Sequence, residues 1–250
     1  MSLEIIATAD ATLTAAAWRA DTFDFWAFDR HVDLLAARGE PLCVVPEIVE
    51  EVALRTQRLV PKRNGATEVS WFTVALAAHR VRHDTSKPLV LADLDHAIDS
   101  WQWALRLDPQ ASAAVQLATL FHDIERLVSE ADTRIEQHAA DYQAFKDAHA
   151  RAGAMVAREI FDGAGVPQEI ADEAFRLVET HERAGPSDAV QLVNDADALS
   201  FFSLNSPGYL AYFGPEQTAK KVAYTLARMS DAARHWLSRI RIPAGVLQHA

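Results

Sequence analysis

Apolar residues recur along this chain at intervals of three and four, the spacing of a single helix face, and strand-like alternation is scarce. Ile170, Ala174, Leu177, Val178 and His181 form one such stripe; Val222, Leu226, Met229, Ala233, Trp236 and Ile240 form another. Turn signals separate the stripes at Pro61-Lys62-Arg63-Asn64-Gly65, Thr85-Ser86-Lys87-Pro88, Asp108-Pro109, Asp162-Gly163-Ala164-Gly165-Val166-Pro167, Arg183-Ala184-Gly185-Pro186 and Ser206-Pro207-Gly208. Between these breaks the pattern predicts helices near 22–38, 46–59, 68–82, 91–107, 110–128, 133–162, 168–182, 188–204 and 215–240. The expected fold class is all-α, with no sheet of consequence. The polar turn at 83–90 divides the chain into an N-terminal helical extension or cap, 1–88, and a helical domain, 89–242. Trp18, Phe23, Phe25, Trp26 and Phe28 are expected to pack the extension, which carries no convincing chemical motif.

Composition narrows the partners. The chain has 250 residues, with 35 acidic against 24 basic and a formal net charge of −11. Such a field repels phosphate backbones, so a nucleic-acid polymer is not an expected ligand, whereas a local basic pocket for a small phosphate ester remains compatible. Cys43 stands alone and cannot form an internal disulfide, which fits a reducing compartment. No apolar run approaches the roughly 18 residues of a membrane span, and the start lacks the basic and apolar blocks of a signal peptide. The expectation is a cytoplasmic protein without membrane association, for which a homo-oligomer is allowed.

The candidate chemistry centres on His122-Asp123. The preceding Val115-Gln116-Leu117-Ala118-Thr119-Leu120-Phe121 is apolar around most of its circumference and is expected to be buried. An adjacent His and Asp at the end of a buried helix are costly unless both find partners, and a divalent metal serves both. Histidines flank the pair: His96 lies 26 residues earlier, His149 27 residues later, and His181 closes the stripe that begins at Ile170. Asp195 and Asp197 follow inside an apolar helix. Helices that each aim one ligand inward can build a metal site in a bundle core. For His149 and His181 the competing reading is that of satisfied core histidines.

The order His96 … His122-Asp123 … Asp197, in helices of these lengths, resembles the HD superfamily of metal-dependent phosphohydrolases over about residues 90–240. Within that superfamily the chain resembles a set of uncharacterised bacterial HD-like proteins. The resemblance implies an HD-like helical bundle with metal ligands at His96, His122, Asp123 and one late aspartate. Asp197 is preferred over Asp195 because the family ligand usually directly precedes the residue-Leu pair. His149 and His181 match extra histidines of two-metal branches, so one or two divalent ions (Mn, Zn, Fe, Co, Ni or Mg) are implied. The Gly-Tyr-Pro signature of the cyclic-dinucleotide branch is absent; Pro207-Gly208-Tyr209 is not that motif.

Phosphate hydrolysis also needs cations near the transferring group. Arg126 lies one turn after His122, while Lys221 and Arg228 border the apolar stripe of the last helix; solvated surface charge is the competing reading for each. The expected function is hydrolysis of a small phosphate ester or nucleotide, with Asp123 and Arg126 catalytic and Arg126, Lys221 and Arg228 binding substrate. The alternatives are a di-iron oxygenase of the HD fold and a non-catalytic helical binding module that retains a metal. No phosphate-binding loop, dinucleotide fingerprint or nucleophile elbow competes.

Overall fold

A computed structural model describes residues 62–63, 66–67, 71–108, 111–183, 187–237, 242 and 244–247. The helices expected at 22–38 and 46–59, the aromatic cluster from Trp18 to Phe28, and Cys43 lie outside the described residues. Strands β1 (Lys62–Arg63) and β2 (Ala66–Thr67) pair antiparallel, with Lys62 opposite Thr67. Every other regular element among the described residues is helical, so the fold is all-α.

The helices begin where the chain supplies caps. Helix α1 spans Trp71–Val81, and α2 spans Pro88–Leu107 with proline in its first turn, where its missing N–H costs nothing. Ser112 accepts the Val115 N–H to start α3 (Ala113–Phe121). Helix α4 is the single turn Arg126–Ser129. Asp141 caps α5 (Tyr142–Ala164), which ends on Gly165 at φ 71°, a left-handed conformation that glycine adopts without Cβ strain. Helix α6 covers Gln168–Thr180, and Ser187 caps α7 (Asp188–Ser200). Helices α8 (Ser206–Arg228), α9 (Asp231–Leu237) and α10 (Ala244–Leu247) follow.

Four expected helices are cut differently. The helix at 110–128 breaks after Phe121, because the N–H groups of Ile124 and Arg126 reach back three residues to Phe121 and Asp123 rather than four. The helix at 133–162 begins only at Tyr142: the Glu130 carboxylate takes the Ile135 N–H at 2.8 Å, and only a 3₁₀ turn, Glu136–His138, precedes α5. The helix at 188–204 continues past Ser200 as a π-helical stretch, Phe201–Asn205. There Ser203 Oγ accepts from Trp103 Nε1 at 2.9 Å and donates to Asp99 at 2.7 Å, which ties the bend to α2. The helix at 215–240 starts earlier, since Pro207 opens α8 instead of breaking it, and a kink at Gly214 (φ 77°) precedes Pro215. It also stops at Met229, because Asp195 draws in the Ser230 N–H (2.8 Å) and hydroxyl (2.5 Å) while Ser230 Oγ accepts the Ala233 N–H.

Helix α3 is the centre of the bundle. Its residues from Ala114 to Phe121 are all buried, and it packs against α2, α6 and α7. Helix α2 lies along α7, and α5 along α6. Helix α1 lays Phe72, Ala75 and Leu76 into the same core as Trp101, Phe121 and Phe161, so that core begins upstream of residue 88. This arrangement delivers the end of α3, where His122 and Asp123 sit, to the middle of the packed helices.

Helix α5 passes close beneath that end at Gly153. A Cβ there would lie 3.4 Å from the His122 carbonyl oxygen and 3.6 Å from Glu125 Cβ. Gly153→Ala should therefore fit in ordinary contact and keep or raise stability, by up to about 1 kcal/mol through its better helix propensity. Gly153→Leu should lose about 1–3 kcal/mol through overpacking. Urea unfolding of the two variants checks this; equal losses would contradict the close approach.

Candidate functional site

Five segments meet at the inner end of α3. Helix α2 supplies His96, the turn after α3 supplies His122, Asp123 and Glu125, and α5 supplies Lys146 and His149. The end of α6 adds His181 and Glu182, and α7 adds Asp197. The structure brings His96, His122, Asp123 and Asp197 together. His96 Nε2 lies 3.2 Å from His122 Nε2 and 3.1 Å from Asp197 Oδ1. His122 Nε2 is 3.5 Å from the same oxygen, and Asp123 Oδ2 is 3.9 and 3.8 Å from the His96 and His122 nitrogens.

Hydrogen bonding at the far side of each ring fixes what faces inward. His122 Nδ1–H donates to the Thr119 carbonyl at 2.9 Å, leaving Nε2 with a lone pair. The Ser200 hydroxyl donates to the His96 carbonyl, so its oxygen accepts from His96 Nδ1–H at 2.8 Å. Two imidazole lone pairs and two carboxylate oxygens thus converge with no donor of their own. Such a group needs a proton or a cation at its centre, and the N/O donor set fits a divalent ion.

The surrounding charges favour the proton. Burial opposes charge on His122, but Asp123 and Asp197 outweigh it and raise its pKa to about 9. Burial likewise opposes charge on Asp123 and Asp197. Arg126, His122 and His149 nevertheless hold Asp123 well below the usual carboxylate range, and His122, His96 and Arg228 do the same for Asp197.

His149 and His181 both lie in this core. His149 is clamped between two carboxylates, Nε2 at 2.9 Å from Asp123 Oδ1 and Nδ1 at 2.7 Å from Glu125 Oε2. Burial disfavours its charge, yet these two bonds raise its pKa. His181 is fully buried, with its ring centroid 5.3 Å from that of His122. Its Nδ1 donates to the Val178 carbonyl at 2.7 Å, and its Nε2 has no hydrogen-bond partner. Asp123, His181 and Glu182 offer ligand atoms within 4.8 Å of one another, as do His96, His122 and Asp123.

The three expected cations take different places. Arg126 Nε sits 2.8 Å from Asp123 Oδ2, while its terminal nitrogens lie 3.2 Å from Glu130 and 3.7 Å from Glu136. Arg228 is buried behind the carboxylates, donating to Asp197 at 3.1 Å, to Glu182 at 2.9 Å and to Asn194 at 3.0 Å. Lys221 is half-buried, with its ammonium 5.6 Å from the Phe201 ring centroid. Asp195 turns away from the centre to Ser230, leaving Asp197 as the aspartate of α7 that faces the histidines.

A cavity of about 210 Å³ opens beside the cluster. His96, Asp123 and Asp197 form one end; Arg126, Arg134, Lys146 and Lys221 contribute positive charge; Phe201, Tyr209, Tyr212 and Phe213 make an aromatic wall. Sequence reasoning missed Lys146, Glu182, Arg134 and this wall. Lys146 stands three residues before His149, on the same side of α5, and Glu182 directly follows His181, so position relative to the histidines was the available signal. Arg134 has no such marker: its bonds to Asp93 (2.7 Å) and to the Leu89 carbonyl are tertiary.

A family model described as a domain of unknown function, DUF4202, matches residues 75–248. The chain belongs to this family. No curated protein and no solved structure matches it. The DUF4202 match begins inside α1 and spans the whole His/Asp cluster, so the centre and the cavity belong to the domain that defines the family. Among the described residues no helix is long and apolar enough to cross a membrane.

The His122 proton has a consequence for stability. Its folded pKa lies above the ordinary value of 6.5, so its contribution is complete below pH 6.5 and fades as pH rises through about 9. Asp123, Asp197 and Glu182 have depressed values, so their contribution holds above about pH 4 and is lost as pH falls below it. Protein stripped of divalent ions with a chelator should thus lose about 3 kcal/mol of unfolding free energy between pH 6.5 and 9. Saturating Mn²⁺ should abolish that loss by replacing the proton. Urea unfolding at both pH values, with and without Mn²⁺, measures it; a flat profile in stripped protein would contradict the raised His122 pKa.

Proposed function

We propose that this chain is a metal-dependent phosphohydrolase acting on a small phosphate ester or nucleotide. The observation that carries the reading is the convergence of His96 Nε2, His122 Nε2, Asp197 Oδ1 and Asp123 Oδ2, with two imidazole nitrogens only 3.2 Å apart. The order of these residues along the chain resembles that of the HD superfamily, and the all-helical bundle is compatible with that resemblance. On this reading His96, His122, Asp123 and Asp197 hold the ion. A divalent ion supplies Lewis acidity to a phosphoryl oxygen and acidifies a water.

The remaining work falls to the protein's own groups. Ser200 and Thr119 fix the two imidazole orientations from behind, and Arg228 holds Asp197 from the opposite side. Arg126 and His149 orient Asp123 by taking one carboxylate oxygen each. Arg126 therefore acts on substrate mainly through Asp123. Lys221 lines the cavity from α8, and on this reading it is the cation that meets a phosphate beside the aromatic wall. That wall suits a planar or apolar leaving group.

The test is a screen of phosphate esters and nucleotides with Mn²⁺, Co²⁺, Ni²⁺, Mg²⁺ and Zn²⁺, read as phosphate release. Wild-type protein should turn over at least one substrate. Asp123→Ala should reduce turnover by about 100-fold or more while the helical spectrum persists. Lys221→Ala should lower kcat/KM by about tenfold or more, which is roughly 1.4 kcal/mol, without reducing bound metal. Bound ferrous iron with substrate-dependent oxygen uptake, and no phosphate release, would replace this reading by an oxygenase. Tight metal without either activity would leave a binding module.

A further inference from the structure

Beside the first cluster lies half of a second one. His181 is 0% exposed; its Nε2 makes no hydrogen bond and lies 3.5 Å from Glu182 Oε1, within 4.8 Å of a ligand atom of Asp123 as well. An ion at that place would find an imidazole and two carboxylates. Both carboxylates, however, already hold cationic partners from the protein. Glu182 receives the Lys146 ammonium on one oxygen; on the other it receives Arg228 at 2.9 Å and the Tyr224 hydroxyl at 3.3 Å. Asp123 gives one oxygen to His149 and the other to Arg126. Lys146 is only 2% exposed, an unusual depth for a lysine, and it reaches the cluster from the same side of α5 as His149.

We infer that the Lys146 ammonium takes the second cation position, so that the centre holds one divalent ion rather than two. The inference rests on the reading of His96, His122, Asp123 and Asp197 as an ion site. A second dication would have to sit within a few ångströms of the ammonium, in a medium where like charges repel strongly, and compete for the carboxylate it occupies. Lys146 thus provides one fixed positive charge with no exchange and no dependence on metal supply. His149, placed to ligate a second ion, is instead a clamp between Asp123 and Glu125.

The full-length protein, stripped and then dialysed against excess Mn²⁺, gives the count directly by elemental analysis. Wild-type chain should bind one ion, and its bound Mn²⁺ should show the spectrum of an isolated ion by electron paramagnetic resonance. Lys146→Met, which keeps the stem and removes the charge, should bind two. Lys146→Arg and the double variant Lys146→Met/Glu182→Gln should return to one. Two ions or a spin-coupled pair in wild-type protein would overturn the inference while leaving the ion site itself standing. A folded Lys146→Met protein that still binds one ion would do the same. No ion in wild-type protein would overturn the inference together with the reading on which it rests. If Lys146→Met does not fold, the wild-type resonance spectrum alone decides.

Discussion

Asp123, Asp197 and Glu182 meet inside an all-helical core, and the need to balance their charge shapes everything around them. Each is held ionised against burial by the groups around it: Arg126, His122 and His149 for Asp123, the bonds from His122 and His96 together with Arg228 for Asp197, and Lys146 and Arg228 for Glu182. Buried carboxylates without such partners would cost several kcal/mol apiece. Because Arg228 bridges two of them, α8 is tied to both α6 and α7 through the centre. The fold and the site are therefore one construction. Removing either partner of such a pair would leave a buried charge without its counterion.

The supporting helices are bent where this construction demands it. Helix α3 stops at Phe121, and the turn that follows presents His122 and Asp123 to the same interior space. The π-helical stretch after α7 carries Phe201 and Leu204 to the cavity wall while Ser200, one residue earlier, still supports His96. The kink at Gly214 lets α8 line the cavity with Tyr209 and Tyr212 before it and with Lys221 after it. Irregular backbone is concentrated around the cavity, and the helices away from it are regular.

Much of this was legible in the sequence because it depends on local pattern. The stripe of α6 ending at His181 and the apolar run before His122 depend on periodicity alone, and both sit buried as the spacing requires. The helix breaks were not legible, because each is set by a distant partner. Glu130 takes the backbone N–H of Ile135, and Asp195 takes that of Ser230. Asp195 and Asp197 are two residues apart and so lie on nearly opposite faces of α7; the family resemblance prefers Asp197, and tertiary contacts place Asp195 on Ser230 and Asp197 against the histidines. Arg126 is expected at the cavity from its place one turn after His122, but its pairing with Glu136, like that of Lys146 with Glu182, is set by tertiary contact.

The central claim is that one divalent ion sits among His96, His122, Asp123 and Asp197. Anomalous diffraction from crystals of the full chain grown with Mn²⁺ tests it most directly. A single strong peak should lie between the two Nε2 atoms and the two carboxylates, with metal–ligand distances of roughly 2.0–2.3 Å. A peak elsewhere in the molecule, with the two imidazoles still in direct contact, would contradict the account.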